Sequence, residues 1–135
     1  MEIDVSTLLE RAMKHMGCDD KITDRLDPHS PICISLDDLP EMFIAANEGR
    51  VSVWSTFDNI GRAAIEMHAF GLVSFLTGCD SDVYICRSPT LSSADDTLTL
   101  RAVLDEQVLE NEIRFSDALD TFFRDLLEVK AVLHP

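Results

Sequence analysis

In the stretch from Asn59 to Gly78, NIGRAAIEMHAFGLVSFLTG, apolar side chains fall on nearly every face of a helix. Ile60, Ala63, Ala64, Met67, Gly71 and Ser74 make one stripe. Ile65, Ala69, Leu72, Val73 and Leu76 make a second, flanked by Phe70 and Phe75. Charge is confined to Arg62 and Glu66. A one-sided surface helix would carry a broad polar face, so this pattern predicts burial on two sides. One side is expected to meet the chain's own sheet and the other a second copy of the protein. Ala63, Ala64, Gly71 and Ser74 are small enough for two such helices to cross closely. The predicted dimer contact is Ala63, Ala64, Met67, Phe70, Gly71 and Leu72. The alternative is a helix sandwiched inside one monomer. Arg62, Glu66 and His68 make the run a poor membrane span.

Before this stretch, Val5, Leu8, Leu9, Ala12, Met13 and Met16 form the stripe of a first helix, with Asp4 as its cap and Gly17 as its stop. Cys18 to Pro31 has little hydrophobic period and reads as ordered loop. Three strands follow. Ile32 to Leu36 alternates large and small residues, Met42 to Ala46 is apolar throughout, and Arg50 to Phe57 alternates again. In the last of these Val51, Val53, Ser55 and Phe57 share one face, with Ser52, Trp54 and Thr56 opposite. Asn47-Glu48-Gly49-Arg50 supplies a tight turn, and the short connections predict an antiparallel meander.

After Gly78, Val83 to Arg87 and Thr97 to Val103 read as two more strands joined by a polar loop, Ser88 to Asp96. A final helix from about Asn111 to Val129 aligns Phe115, Ala118, Leu119, Phe122, Leu126 and Val129. The order αβββαββα predicts an α+β fold: a five-stranded twisted antiparallel sheet with three helices, forming a homodimer. The 135 residues make one domain, with no linker or repeat to divide them.

A domain of this size needs no disulfide or metal for stability. Cys18, Cys33, Cys79 and Cys86 have no zinc spacing, and Cys33 and Cys86 fall within predicted strands as small apolar residues. MEIDVSTLLE lacks the basic and apolar regions of a secretory signal, so a reduced, cytoplasmic location is expected. The net charge of −14, from 25 acidic and 11 basic residues, argues against nucleic acid and anionic membrane as partners. The acidic pairs Asp19-Asp20, Asp37-Asp38 and Asp95-Asp96 are scattered and suit a solvated surface.

No phosphate loop, G-x-S-x-G or H-E-x-x-H is present. Asp80-Ser81-Asp82 begins like a calcium loop but lacks the third ligand, the central Gly and the closing Glu. His15 and Cys18 lie close in sequence. They allow a thiolate–imidazole pair, or else a helix-terminal histidine beside a packed cysteine. No catalytic residue, metal ligand or cofactor site emerges, and the expected role is binding, not catalysis.

At the meander the sequence becomes specific. Leu26-Asp27-Pro28-His29-Ser30, then Ile32-Cys33-Ile34-Ser35-Leu36-Asp37, Pro40, and later Trp54 and Phe57-Asp58 resemble the InvB/SpaK-type (class IB) type III secretion chaperones. Leu8-Leu9, Gly17-Cys18-Asp19, Leu98-Thr99-Leu100 and the helix from Phe115 to Leu126 match in kind. Ser88 to Asp96 and the C-terminal tail match least. The resemblance implies a small acidic cytoplasmic homodimer without enzymatic activity. It would bind N-terminal segments of one or more secreted effectors, keep them extended and deliver them to the secretion ATPase.

An extended client would set apolar side chains into shallow pockets and could add a strand to a sheet edge. Expected client-binding residues are Leu8, Met13, Ile32, Ile34, Met42, Ile44 and Trp54. Each also fits an ordinary core position. Trp54 stands out because it lies across the strand from Val51 and Val53. Two rival readings are an acidic dimeric adaptor for a folded partner and a small thiol enzyme.

Overall fold

Two tight turns set the register of the sheet. At the first, Glu48 and Gly49 take left-handed backbone (φ 52° and 78°), which fits a two-residue hairpin to twisted strands. The turn joins β2 (Met42–Asn47) to β3 (Arg50–Asp58), with Asn47 opposite Arg50. At the second, Asp95 and Asp96 (φ 50° and 59°) join β4 (Thr90–Ala94) to β5 (Thr97–Val103). With β1 (Ile32–Ile34) these form one five-stranded antiparallel sheet in the order β1-β2-β3-β5-β4. The computed structural model describes residues 5–17, 31–35 and 37–135. The Asp4 cap, Cys18, Leu36 and the Leu26 to Ser30 motif lie outside the described residues.

The helical elements are α1 (Val5–Met16), α2 (Arg62–Met67), α3 (Ala69–Gly78) and α4 (Glu112–Leu133), with a 3₁₀ turn over Glu106–Leu109. Asn111 caps α4 by accepting from the Arg114 N–H at 2.9 Å. The fold is α+β, as the pattern predicts. The inward residues of the sheet share a register: Ile32 opposes Ile44, Ile44 opposes Val53, and Val53 opposes Ala102. They form one core with Leu9, Ala12 and Met13 of α1 and with Phe115, Leu119, Phe122, Leu126 and Val129 of α4. Ser55, the polar residue on this face, is satisfied by donating to the carbonyls of Pro40 and Glu41.

Two elements differ from the sequence expectation. The fourth strand is Thr90–Ala94, inside the segment read as a loop, while Val83 to Arg87 is a turn-rich connection touching the sheet only where Tyr84 bridges Leu104. The apolar run Val83 to Cys86 imitates a strand, yet Tyr84 is its one buried member and Cys86 is exposed. The long helix, moreover, is two helices meeting at His68, whose φ and ψ (−107°, 14°) are not helical. Hydrogen bonding continues across the break, from the His68 N–H to Ala64 and from the Leu72 N–H to His68.

Candidate functional site

An open groove of about 610 Å³ lies where the end of α1, the start of α4 and the β1–β2 pair converge. Its floor is made by Met13, Ile34, Met42 and Leu119, all buried, and its walls include the half-exposed Met16 and Phe123. The α1–α4 packing that shapes it is tied by Ser116, whose hydroxyl lies 3.3 Å from the Ala12 carbonyl. Asp37, Asp117, Asp120 and His15 stand around the apolar lining. Such a groove can hold apolar side chains of an extended segment while its backbone stays solvated.

Of the expected client-binding residues, Met13, Ile34 and Met42 meet at this groove. Ile32 and Ile44 oppose each other in the core, 3% and 0% exposed, and offer no surface to a client. Leu8 packs half-buried against the same core. Met16, Leu119 and Phe123 complete the groove and were not expected there. Phe123 carries a faint signal, a second aromatic immediately beside the buried stripe of α4.

Trp54 projects from the opposite face of the sheet and is half-exposed. There Cys33, Phe43, Trp54, Arg101 and Thr90 stand in register across all five strands. The Arg101 Cζ lies 4.7 Å from the Trp54 ring centroid. No carboxylate pairs with Arg101 among the described residues.

The predicted dimer helix presents two different faces. Leu72 is 5% exposed and belongs to the chain's own core. Gly71 lies against α4, where an added Cβ would come within 2.8 Å of Val132 Cγ1. Both residues are thus turned inward. Ala63, Met67, Phe70 and Val73 run along the outer side, with Met67 77% and Phe70 87% exposed. Ala64 is partly buried against the core. An apolar ridge of this kind is a recognised mark of an interaction surface.

The most perturbed titratable groups lie elsewhere, between α3, α4 and the connection after α3. The Tyr84 phenol donates to Asp125 of α4. Burial, opposed by that hydrogen bond and aided by nearby Glu128, raises the Asp125 carboxyl above its ordinary range. Burial together with Asp125 and Glu128 pushes the Cys79 thiol up to about 11. A thiol so shifted stays protonated at neutral pH and is a poor nucleophile. Among the described residues no cluster of three or more His, Cys, Asp or Glu is arranged to hold a metal ion. None of the described helices is long and apolar enough to cross a membrane.

Comparison with known proteins agrees with the meander motif. The sequence pattern of the invasion protein B family matches residues 17–95, more than half of the chain. The chain belongs to that family, the InvB/SpaK-type family its meander resembles. It is 26% identical over 127 residues to the surface presentation of antigens protein SpaK of Salmonella typhimurium, covering 92% of this chain and 91% of that protein. The SpaK of Salmonella typhi matches to the same extent. The crystal structure of YbjN from E. coli shares the fold, with a TM-score of 0.54 over 98% of this chain and 92% of YbjN at 12% identity.

Proposed function

We propose that the protein is a cytoplasmic, non-enzymatic type III secretion chaperone. It holds N-terminal segments of one or more secreted effectors extended and export-competent, for delivery to the secretion ATPase. The observation that carries this reading is the Met- and Phe-lined groove, open at the surface of a member of the invasion protein B family. Met13, Ile34 and Met42 form its floor and Phe123 its wall, while Trp54 and Phe43 provide a second apolar platform on the other face. The ridge of Ala63, Met67, Phe70 and Val73 joins two protomers and so sets two grooves on one particle.

Phe123→Asp places a charge in the groove wall while leaving the buried floor intact. Titration calorimetry with an effector N-terminal segment should then show affinity reduced at least about tenfold, the scale of an interface anchor. Unchanged affinity with a folded variant would remove the groove from the client path.

A further inference from the structure

The groove has a polarity that its apolar lining alone does not explain. Among the described residues that line it, three are aspartates, Asp37, Asp117 and Asp120, and none is Lys or Arg. Asp117 is exposed and has no ion pair among the described residues. Among the described residues Asp120 pairs only with the solvent-exposed Arg124, at 3.0 Å, a contact weak enough to exchange. These two carboxylates lie three residues apart on α4, hence on one helix face, beside Leu119 and Phe123. The apolar lining includes Met13, Met16 and Met42, whose unbranched side chains adapt to different shapes and discriminate poorly among apolar residues. Selectivity must then come from the polar edge.

We propose that the groove selects client segments in which an apolar residue is flanked by Lys or Arg. The apolar side chain enters between Met13, Met42 and Phe123 while the flanking cation meets Asp117 and Asp120. This rests on reading the groove as the client site and adds the chemical class of the segment it takes. The complementarity is local and is distinct from the attraction that a net charge of −14 exerts on any cation.

The test uses three fluorescein-labelled peptides with one apolar sequence, flanked by Lys, Gln or Glu, titrated by anisotropy against the full chain. Lys-flanked peptide should bind tightest and Glu-flanked weakest, with about three- to tenfold between Lys and Gln at low salt. In D117N/D120N, checked for folding by circular dichroism, that spread should collapse. The control E48Q/D95N removes the same charge at two hairpin turns outside the groove and should keep the spread. A spread that survives in D117N/D120N would overturn the proposal and assign the preference to net charge. Gln-flanked peptide that binds in a Phe123-dependent way with no spread would overturn the selectivity and leave the groove assignment standing. Peptide binding indifferent to Phe123→Asp would overturn both.

Discussion

Phe43 and Trp54 face each other across the β2–β3 pair, with ring centroids 5.7 Å apart and planes inclined by 17°. With Arg101 held over the other side of the indole system, they form a stacked trio on the sheet's outer face. Such a pair is worth about 0.5–1.5 kcal/mol beyond its buried area, and the cation about 0.5–1 kcal/mol more. Trp54→Ala is therefore expected to cost about 1–2 kcal/mol in urea unfolding. A double-mutant cycle with Arg101→Ala should return a coupling of about 0.5–1 kcal/mol. If Trp54 also anchors client, affinity per folded molecule falls in the same variant. Additive losses would show that the guanidinium contributes nothing.

The two faces of the α2–α3 segment predict opposite outcomes for charge insertion. Met67→Glu with Phe70→Glu alters only exposed positions and should give a folded monomer by light scattering. Leu72→Glu buries a carboxylate in the core and should destabilise by more than about 3 kcal/mol, giving misfolded protein. A folded, dimeric M67E/F70E variant would place the interface elsewhere.

Asp125 supplies a pH signature. Its carboxyl titrates higher in the folded than in the unfolded chain, so the folded state binds its proton more readily. Its contribution to stability is fully present below the unfolded carboxylate range and is lost as pH rises through the raised value. Asp125→Asn keeps an acceptor for the Tyr84 phenol and removes the titration. The stability of wild type minus variant should thus decline from acid toward neutral pH; a difference that rises would reverse the assignment. Tyr84→Phe, which strands the buried side of Asp125, should cost about 1–3 kcal/mol.

Cysteine chemistry separates a binding protein from a thiol enzyme. Cys79, pushed up to about 11 and partly buried, should resist iodoacetamide at pH 8, while exposed Cys86 is alkylated. Rapid modification of Cys79 in the folded protein would contradict its placement beside Asp125 and Glu128.

Much of this architecture is written in periodicity. β3 alternates without exception from Val51 to Phe57, and α4 repeats its apolar stripe through Val129, so both elements and their buried faces follow from the sequence alone. β4 is different because it is an edge strand, exposed at four of its five positions, and Thr-Leu-Ser-Ser-Ala carries no hydrophobic alternation. The Asp95-Asp96 turn was the available clue, two residues that tolerate left-handed backbone better than most. The break at His68 leaves the hydrophobic pattern undisturbed, so periodicity cannot report it. For the groove, Met13, Ile34 and Met42 were legible as apolar positions, but Phe123 joins them only through the α1–α4 packing. The same limit applies to Leu72 and Gly71: a helix apolar all round does not announce which stripe meets its own core.

The proposed chaperone is a dimer that captures an extended effector segment. Light scattering coupled to size exclusion, with and without an effector N-terminal segment, tests it most directly. The expected result is a particle of twice 15.1 kDa that gains the segment and loses that gain in the Phe123→Asp variant. A monomer that ignores the segment would contradict it.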